Sequence, residues 1–281
     1  INRDIEIFER VRAAATGPVI TYGLGAASDV RALDLEKVSE ADHIGTRFRL
    51  QSPFYNGTVF VGMPGLINVY NALAAITCAG LLGLPFAAVK AGLADISVPG
   101  RVQPIPTGSD FQVIVDYAHN AASLENLLIT LREYVRGRLI VLFGNGGDRA
   151  RSRRFEMGET AGRLADLSII TSDNPRTEDP LKIIEDIITG IKPTGGSFEI
   201  VPDRREAIAR AIAIAAPGDL IVIAGKGHEN YQIFADRTIH FDDAETAAEL
   251  LKERQTGLGS SESELGNKME KPDGQAYRAE A

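Results

Sequence analysis

The sequence predicts an α/β protein whose larger part is built on a mostly parallel sheet. Three observations carry that reading. From Val113 onward, strand-like and helix-length segments alternate regularly. The strands are continuous apolar runs such as Leu139-Ile140-Val141-Leu142-Phe143, the pattern of strands covered by helices on both faces. Four of the five strand-like runs end in clusters of polar, charged and glycine residues, and open α/β sheets bind ligands beyond the carboxyl ends of their strands. At 281 residues the chain has room for two domains or one large one, and 44% apolar residues is enough for a sizeable core.

Residues 1–99 have a different rhythm. An amphipathic helix carrying Ile5, Phe8 and Val11 opens the chain, followed by a short strand at 19–22. Arg47-Phe48-Arg49-Leu50-Gln51 alternate as a half-exposed strand does, and 58–63 form another. Residues 58–89 contain no charged side chain, a length that raises the question of a membrane span. Asn68 and Asn71, one helical turn apart, and the break at Gly83-Leu84-Pro85 argue instead for two buried helices near 66–82 and 86–95. Cys78 lies in this Ala/Leu-rich run and is expected to be a buried, inert thiol. There is no complete βαβ series here and the chain opens on Ile1, so residues 1–99 are expected to be the later portion of a domain that begins upstream. No basic segment followed by a short apolar core opens the chain, which therefore reads as soluble and cytoplasmic.

Residues 100–254 form the second unit. Strands are expected at 112–117, 138–143, 167–171, 197–201 and 219–224, with helices near 121–135, 155–165, 180–191, 203–216 and 243–253. Asp203 followed by Glu206 fits a capping-box start for the fourth of these helices. Beyond Arg254 the chain turns polar and Gly/Ser-rich, so 255–281 are expected to form a disordered tail.

Thirty Lys and Arg against 38 Asp and Glu give a net charge of −8, which argues against a nucleic-acid binder held by phosphate neutralisation. The single cysteine excludes a disulfide framework and a multi-cysteine metal site. His119 and His228 have no Cys or second His at ligand spacing, and His43 and His240 read as surface residues, so no metal ligands are assigned.

The strand-end clusters carry the chemistry. They are Val115-Asp116-Tyr117-Ala118-His119-Asn120; Gly144-Asn145-Gly146-Gly147-Asp148-Arg149 with Arg151, Arg153 and Arg154; Ser172-Asp173-Asn174-Pro175-Arg176; and Gly225-Lys226-Gly227-His228-Glu229. Each has a plainer reading. Residues 173–176 alone can be an Asx-turn before Pro175, and the arginines a solvated face. Glycines on a strand-to-helix turn, however, let backbone N–H groups approach an anion, and a guanidinium there grips carboxylate or phosphate through two bonds. All four clusters are expected to converge on one crevice. Two apparent nucleotide motifs fail: Gly23 to Ser28 lacks the third glycine of a dinucleotide fingerprint, and Gly225-Lys226 lacks both the preceding glycine and the Ser/Thr of a phosphate loop.

Together these segments resemble the Mur ligase family, ATP-dependent amide-forming enzymes of bacterial peptidoglycan synthesis. The resemblance rests on Gly65-Leu66-Ile67-Asn68-Val69-Tyr70-Asn71, Pro99-Gly100-Arg101, and residues 115–119, 144–158, 173–180 and 225–232, and it covers about residues 1–250. It implies that 1–99 are the back of a central ATP-binding domain and 100–254 a Rossmann-like amino-acid-binding domain. It also implies that Asn68, Asn71 and Arg101 lie on the adenine and ribose side of ATP, with Asp116 and His119 lining the nucleotide cleft. Arg154, Asp173, Asn174, Pro175, Arg176, Gly225 and Glu229 match positions that hold the incoming amino acid. The Asp173-Asn174-Pro175-Arg176 form looks like that of members adding meso-diaminopimelate, since Arg176 can pair with a distal carboxylate that lysine lacks.

The reaction implied has two steps, with a UDP-muramoyl dipeptide, meso-diaminopimelate and ATP as small-molecule partners and neither nucleic acid nor membrane involved. ATP phosphorylates a carboxylate to an acyl phosphate, and the amine displaces phosphate, with positioning and charge stabilisation rather than a side-chain nucleophile as the source of catalysis. Mg²⁺ is the expected cofactor, its ligands lying upstream. Three departures stand out. The family's phosphate loop, Mg²⁺-binding acid, modified lysine and UDP-sugar domain are absent, so the chain alone is expected to be inactive. Asn120-Ala121-Ala122 is closer to cyanophycin synthetase and folylpolyglutamate synthase relatives, and Asn145 replaces the usual cysteine. Those other ligases, or a non-catalytic carboxylate- or nucleotide-binding module, are the alternatives.

Overall fold

The computed structural model describes residues 1–40 and 43–257. A short helix α1 (Phe8–Ala14) leads into a four-stranded sheet of β1 (Tyr22–Gly23), β2 (Val30–Glu40), β3 (His43–Gln51) and β4 (Asn56–Val61), in that spatial order. β1 runs parallel to β2 and the remaining pairs are antiparallel. Helices α2 (Leu66–Leu81) and α3 (Phe86–Ala94) follow. Inward side chains of the sheet (Val30, Ala32, Phe48, Leu50, Val59, Val61) pack on Val69, Leu73, Ile76 and Leu93 of the helices. The other sheet face is polar, which is the alternation an antiparallel sheet with one wet side requires.

Several expectations change here. The opening helix starts at Phe8 and buries only that residue of the expected three. The strand expected at 19–22 shrinks to Tyr22–Gly23. The longest strand, β2, carries no clean alternation because its register shifts between Leu33 and Glu36, with Asp34 at φ 55°, so inward and outward positions change phase. Helices α2 and α3 match the expected ranges but are buried on one face only: Ile67, Leu81 and Leu82 are exposed. Cys78 is exposed as well, contrary to expectation, because the buried stripe of α2 runs through Val69, Ala72, Leu73 and Ile76, and Cys78 points away from it. Among the described residues, no helix is long and apolar enough to cross a membrane.

The second unit is the alternating one. Its elements are β5 (Gln103–Ile105), β6 (Gln112–Asp116), α4 (Ala121–Arg132), β7 (Leu139–Phe143), α5 (Ser152–Leu164), β8 (Leu167–Ile170), α6 (Pro180–Ile191), β9 (Phe198–Ile200), α7 (Arg204–Ile214), β10 (Leu220–Ala224), the hairpin β11 (Tyr231–Ile233) and β12 (Thr238–His240), and α8 (Asp243–Thr256). The sheet order is β5-β6-β10-β7-β8-β9, parallel except for the edge strand β5. Odd and even strand residues feed two separate cores. Ile114, Val141, Phe143 and Val222 pack against α4, α5 and α6, whereas Val113, Ile140, Leu142 and Ile223 pack against α7 and α8. Strands β7 and β10 are therefore buried along their whole length.

The chain crosses one face through α4, α5 and α6 and returns across the other through α7 to insert β10 between β6 and β7. That reversal opens a crevice beyond the carboxyl ends of these central strands. Asp203 caps α7, accepting from the Glu206 N–H at 3.0 Å, while a complete reciprocal box forms at the start of α4 between Asn120 and Ser123. Helix α8 continues through Gln255 and Thr256, so these first residues of the expected tail are helical. The Gln255 amide donates to the Thr107 carbonyl at 2.7 Å, and residues 258–281 lie outside those described. The hairpin β11–β12 is absent from the sequence reading because three-residue strands carry too little pattern to register.

The two units meet at Tyr134. Its hydroxyl sits 2.9 Å from the Thr46 hydroxyl of β3 and accepts the Gly65 N–H, at the start of α2, at 3.0 Å.

Candidate amino-acid and nucleotide site

All four strand-end clusters contribute to one cavity of about 270 Å³. From β6 come Tyr117 and His119; from β7, Gly144, Asn145, Gly146, Arg149 and Arg153; from β8, Asp173, Asn174 and Arg176; from β10, Gly225 and Glu229. Arg154, Arg176 and Glu229 thus share one space, as the sequence reading required.

The loops close on one another through backbone contacts that only certain residues allow. The Gly147 N–H donates to the Asn174 carbonyl at 2.9 Å, and Arg176 Nη1 donates to the Gly147 carbonyl at 2.6 Å. A Cβ on Gly147 would run into the Pro175 carbonyl oxygen, which explains both the glycine and the place of Pro175 behind the cavity wall rather than in it. Arg176 adopts φ 52°, a left-handed conformation unusual for a long side chain; its own N–H is tied to the Ile233 carbonyl at 3.0 Å. Gly225, at φ 113°, stands where a side chain would press on the Asp173 carboxylate.

The acidic wall is held from behind. Asn174 Nδ2 donates to Glu229 Oε2 at 2.9 Å and its Oδ1 accepts the Ile233 N–H at 3.0 Å. Lys226 is fully buried, donates to the Tyr231 carbonyl and lies 3.5 Å from Glu229 Oε2; burial pulls its ammonium below the usual lysine value. Beneath the loops, Arg204 forms a fully buried pair with Asp243, two bonds of 2.7 Å each. Its remaining N–H groups reach the carbonyls of Ser172, just past β8, and Ala224, the last residue of β10. One guanidinium thereby ties together the two strand ends that present Asp173 and Gly225.

Arg154 is placed differently from expectation. It borders the cavity, but its side chain is 1% exposed and already donates to Asp186 at 3.0 Å and Glu178 at 2.7 Å. Arg151 binds Asp186 as well, at 2.5 Å. The Arg154 bond is the main influence holding Glu178 below the ordinary carboxylate range, and Arg151 is the main influence lowering Asp186. Arg149 and Arg153 line the same cavity and have no carboxylate partner among the described residues. Helical spacing held the clue: Arg154, Met157, Gly158 and Ala161 share the buried face of α5.

The expected nucleotide residues divide into three places. Arg101 lies 4.9 Å over the Tyr117 ring, which also packs on His119 at 4.7 Å and His228 at 5.3 Å; Tyr117 and His119 line the cavity, and Arg101 and His228 do not. Asp116 does not line the cavity. Its carboxylate accepts the Val102 and Ala118 N–H groups at 2.8 Å each, so it brackets the Arg101 segment onto β6; burial raises its pKa despite those bonds. Asn68 and Asn71 sit on the first turns of α2, in the other unit, with Asn71 Nδ2 donating to Asn68 Oδ1 at 3.3 Å and Asn68 Nδ2 to the Pro64 carbonyl at 2.8 Å. Of the remaining histidines, exposed His240 pairs with Glu245 at 2.7 Å, and His43 packs edge-on to Phe60.

Residues 1–79 match the Mur ligase middle domain and residues 100–227 the glutamate ligase domain of Mur ligases. The chain belongs to the Mur ligase family. Among curated members of that family, it is 43% identical over 253 residues to the UDP-N-acetylmuramoyl-L-alanyl-D-glutamate–2,6-diaminopimelate ligase of Caldanaerobacter subterraneus subsp. tengcongensis. That match covers 90% of this chain and 52% of the relative. The ligase of the same name from Syntrophomonas wolfei is 46% identical over 254 residues, with 90% and 51% covered. A solved structure of a ligase of this name superposes with a TM-score of 0.73 at 35% identity, covering 90% of this chain and 53% of that one. The chain thus spans about half the length of the Mur ligases it matches. Among the described residues of this Mur ligase chain, no group of three or more His, Cys, Asp or Glu side chains could hold a metal ion, so a Mg²⁺ site is not assigned to them.

Proposed function

We propose that this chain supplies the amino-acid pocket of a ligase that joins meso-diaminopimelate to UDP-N-acetylmuramoyl-L-alanyl-D-glutamate with ATP. One observation carries the proposal: a single cavity is lined by guanidinium groups without a carboxylate partner among the described residues (Arg149, Arg153 and Arg176) and by the carboxylates of Asp173 and Glu229. That pattern complements a small molecule bearing both carboxylates and ammonium groups. Names of relatives 41–47% identical support the same substrate pair.

The chemistry follows from the poor electrophilicity of a carboxylate. A carboxylate oxygen of the D-glutamyl residue attacks the γ-phosphorus of ATP, ADP leaves, and an acyl phosphate results. The unprotonated amine of diaminopimelate then adds to that carbonyl, phosphate departs, and the nitrogen gives up its proton as the amide forms. Arg149, Arg153 and Arg176 orient the carboxylates of the amino acid, and Asp173 and Glu229 its ammonium groups, so that the reacting nitrogen is presented in one direction. Arg101, Tyr117 and His119 form the nucleotide side of the cleft, with Asn68 and Asn71 contributing from the first unit. No side chain is assigned as nucleophile. Mg²⁺, which supplies charge neutralisation on ATP in this family, is assigned no ligand here. A cytoplasmic location belongs to the same proposal, and neither nucleic acid nor a membrane is required.

Calorimetric titration of the chain with meso-diaminopimelate, L-lysine and L-glutamate tests the reading. Diaminopimelate is expected to bind at least about 10-fold tighter than lysine, because lysine leaves a guanidinium without its carboxylate, and Arg176→Met is expected to erase that preference. Equal binding of all three amino acids would contradict it.

A further inference from the structure

We infer that Asn145 is a specificity-determining residue of this cavity, its side-chain oxygen accepting a hydrogen bond from an ammonium group of the bound amino acid. The inference rests on the reading of the cavity as an amino-acid pocket and adds to it a residue outside the charged set. Asn145 follows the last residues of β7, between Gly144 and Gly146, and lines the cavity although its side chain is only 8% exposed. Its Nδ2 donates to the Met157 sulfur at 3.0 Å, and its Oδ1 is buried without a partner among the described residues. The amide has a reason to stand this way round. A thioether accepts hydrogen bonds weakly and donates none, so the N–H side belongs against Met157 and the oxygen is left unpartnered on a residue that lines the cavity.

A buried carbonyl oxygen without a donor is costly, and folded proteins leave few such groups. The position of this one is informative because a second orphan borders the same cavity: Nε of Arg154, whose two terminal nitrogens are committed to Asp186 and Glu178. One unfilled acceptor and one unfilled donor, both fixed by packing, complement an adjacent ammonium and carboxylate, the head group of an amino acid. The charged residues of the cavity supply long-range attraction. A neutral carbonyl held rigidly against Met157 adds what they do not, a short directional contact that distinguishes an N–H donor from an oxygen at the same place. Because Oδ1 is unsatisfied until the ligand arrives, the ligand-free chain bears its cost in stability and recovers it on binding.

Titration of the chain with meso-diaminopimelate, paired with thermal denaturation without ligand, tests this. Asn145→Leu, similar in volume, is expected to weaken diaminopimelate about 10-fold or more and to raise the melting temperature of the ligand-free chain. Asn145→Asp keeps an acceptor at the same point and is expected to bind diaminopimelate at least as tightly as the wild type. Binding by Asn145→Leu within about twofold of wild type, a lowered melting temperature in that variant, or an Asn145→Asp variant as weak as Asn145→Leu would each overturn the inference and leave the pocket reading standing. A wild-type chain that binds no diaminopimelate would overturn the pocket reading itself, and this inference with it.

Discussion

The two sheets of the molecule place charge in opposite ways. In the first, the cross-strand pairs Arg47–Glu36 and Arg49–Asp34 lie on the open face of an antiparallel sheet, with side chains 41–71% exposed. In the second, Arg154 and Arg204 are buried among carboxylates at the carboxyl end of a parallel sheet. The difference follows from burial of the sheets. A sheet wet on one side can scatter charge along its strands, whereas a sheet covered on both faces has nowhere for polar groups except the strand ends. The central strands of the second unit therefore carry their charged side chains at the carboxyl ends, where buried ion pairs hold the loops, while exposed pairs such as Arg163–Glu125 and Arg205–Glu249 lie on the covering helices.

Breaking the buried pairs should show the contrast. Arg204→Met leaves Asp243 as an uncompensated buried charge and frees the carbonyls of Ser172 and Ala224; denaturant unfolding is expected to show a loss of about 3–5 kcal/mol. A loss no larger than that of a surface variant would mean that the strand ends are held by packing alone. Next in size is the hydroxyl shared between the units. Tyr134→Phe deprives the Thr46 hydroxyl and the Gly65 N–H of a buried partner and is expected to cost about 1–3 kcal/mol in the same measurement.

The acid limb of stability sorts the carboxylates within the second unit. Glu178 and Asp186 have native pKa values below their ordinary 4.5 and 3.8, so their contribution is complete above those values and is lost as pH falls through the lowered native ones. Asp116, raised by burial, acts with the opposite sign: its contribution is present below 3.8 and fades as pH climbs through the raised value. Glu178→Gln is expected to flatten the fall in melting temperature on acidification, and an unchanged slope would remove Glu178 from this account. The smallest effect is expected in the first unit. Arg49→Ala, which breaks an exposed pair with Asp34, should change stability by no more than about 0.5–1 kcal/mol.

The same contrast explains what was legible in the sequence. Fully buried parallel strands such as β7 and β10 are unbroken apolar runs, and the helices between them keep a 3.6-residue period, so the second unit was readable nearly element by element. Strand β2 was not, because its outward face is charged and its bulge shifts the period midway. The convergence of four loops was legible because strand ends in such sheets share one edge. Which arginine stays open was harder. Arg149, Arg153 and Arg154 lie within six consecutive residues, and only the packing of α5 on α6 shows that Arg154 is drawn to Asp186 while the others face the cavity. Asn145 carried no signal as a binding group, since its orphaned oxygen is a property of packing against Met157 and not of sequence pattern.

The central claim is that loops from separate strands of the second unit grip one amino acid together. Amide hydrogen exchange of the chain with and without meso-diaminopimelate tests it most directly. The account predicts slowed exchange in 144–149, 173–176 and 225–229 at a single ligand concentration, with the sheet of the first unit unchanged. Protection confined to one of these loops, or spread instead over β2 to β4, would contradict it.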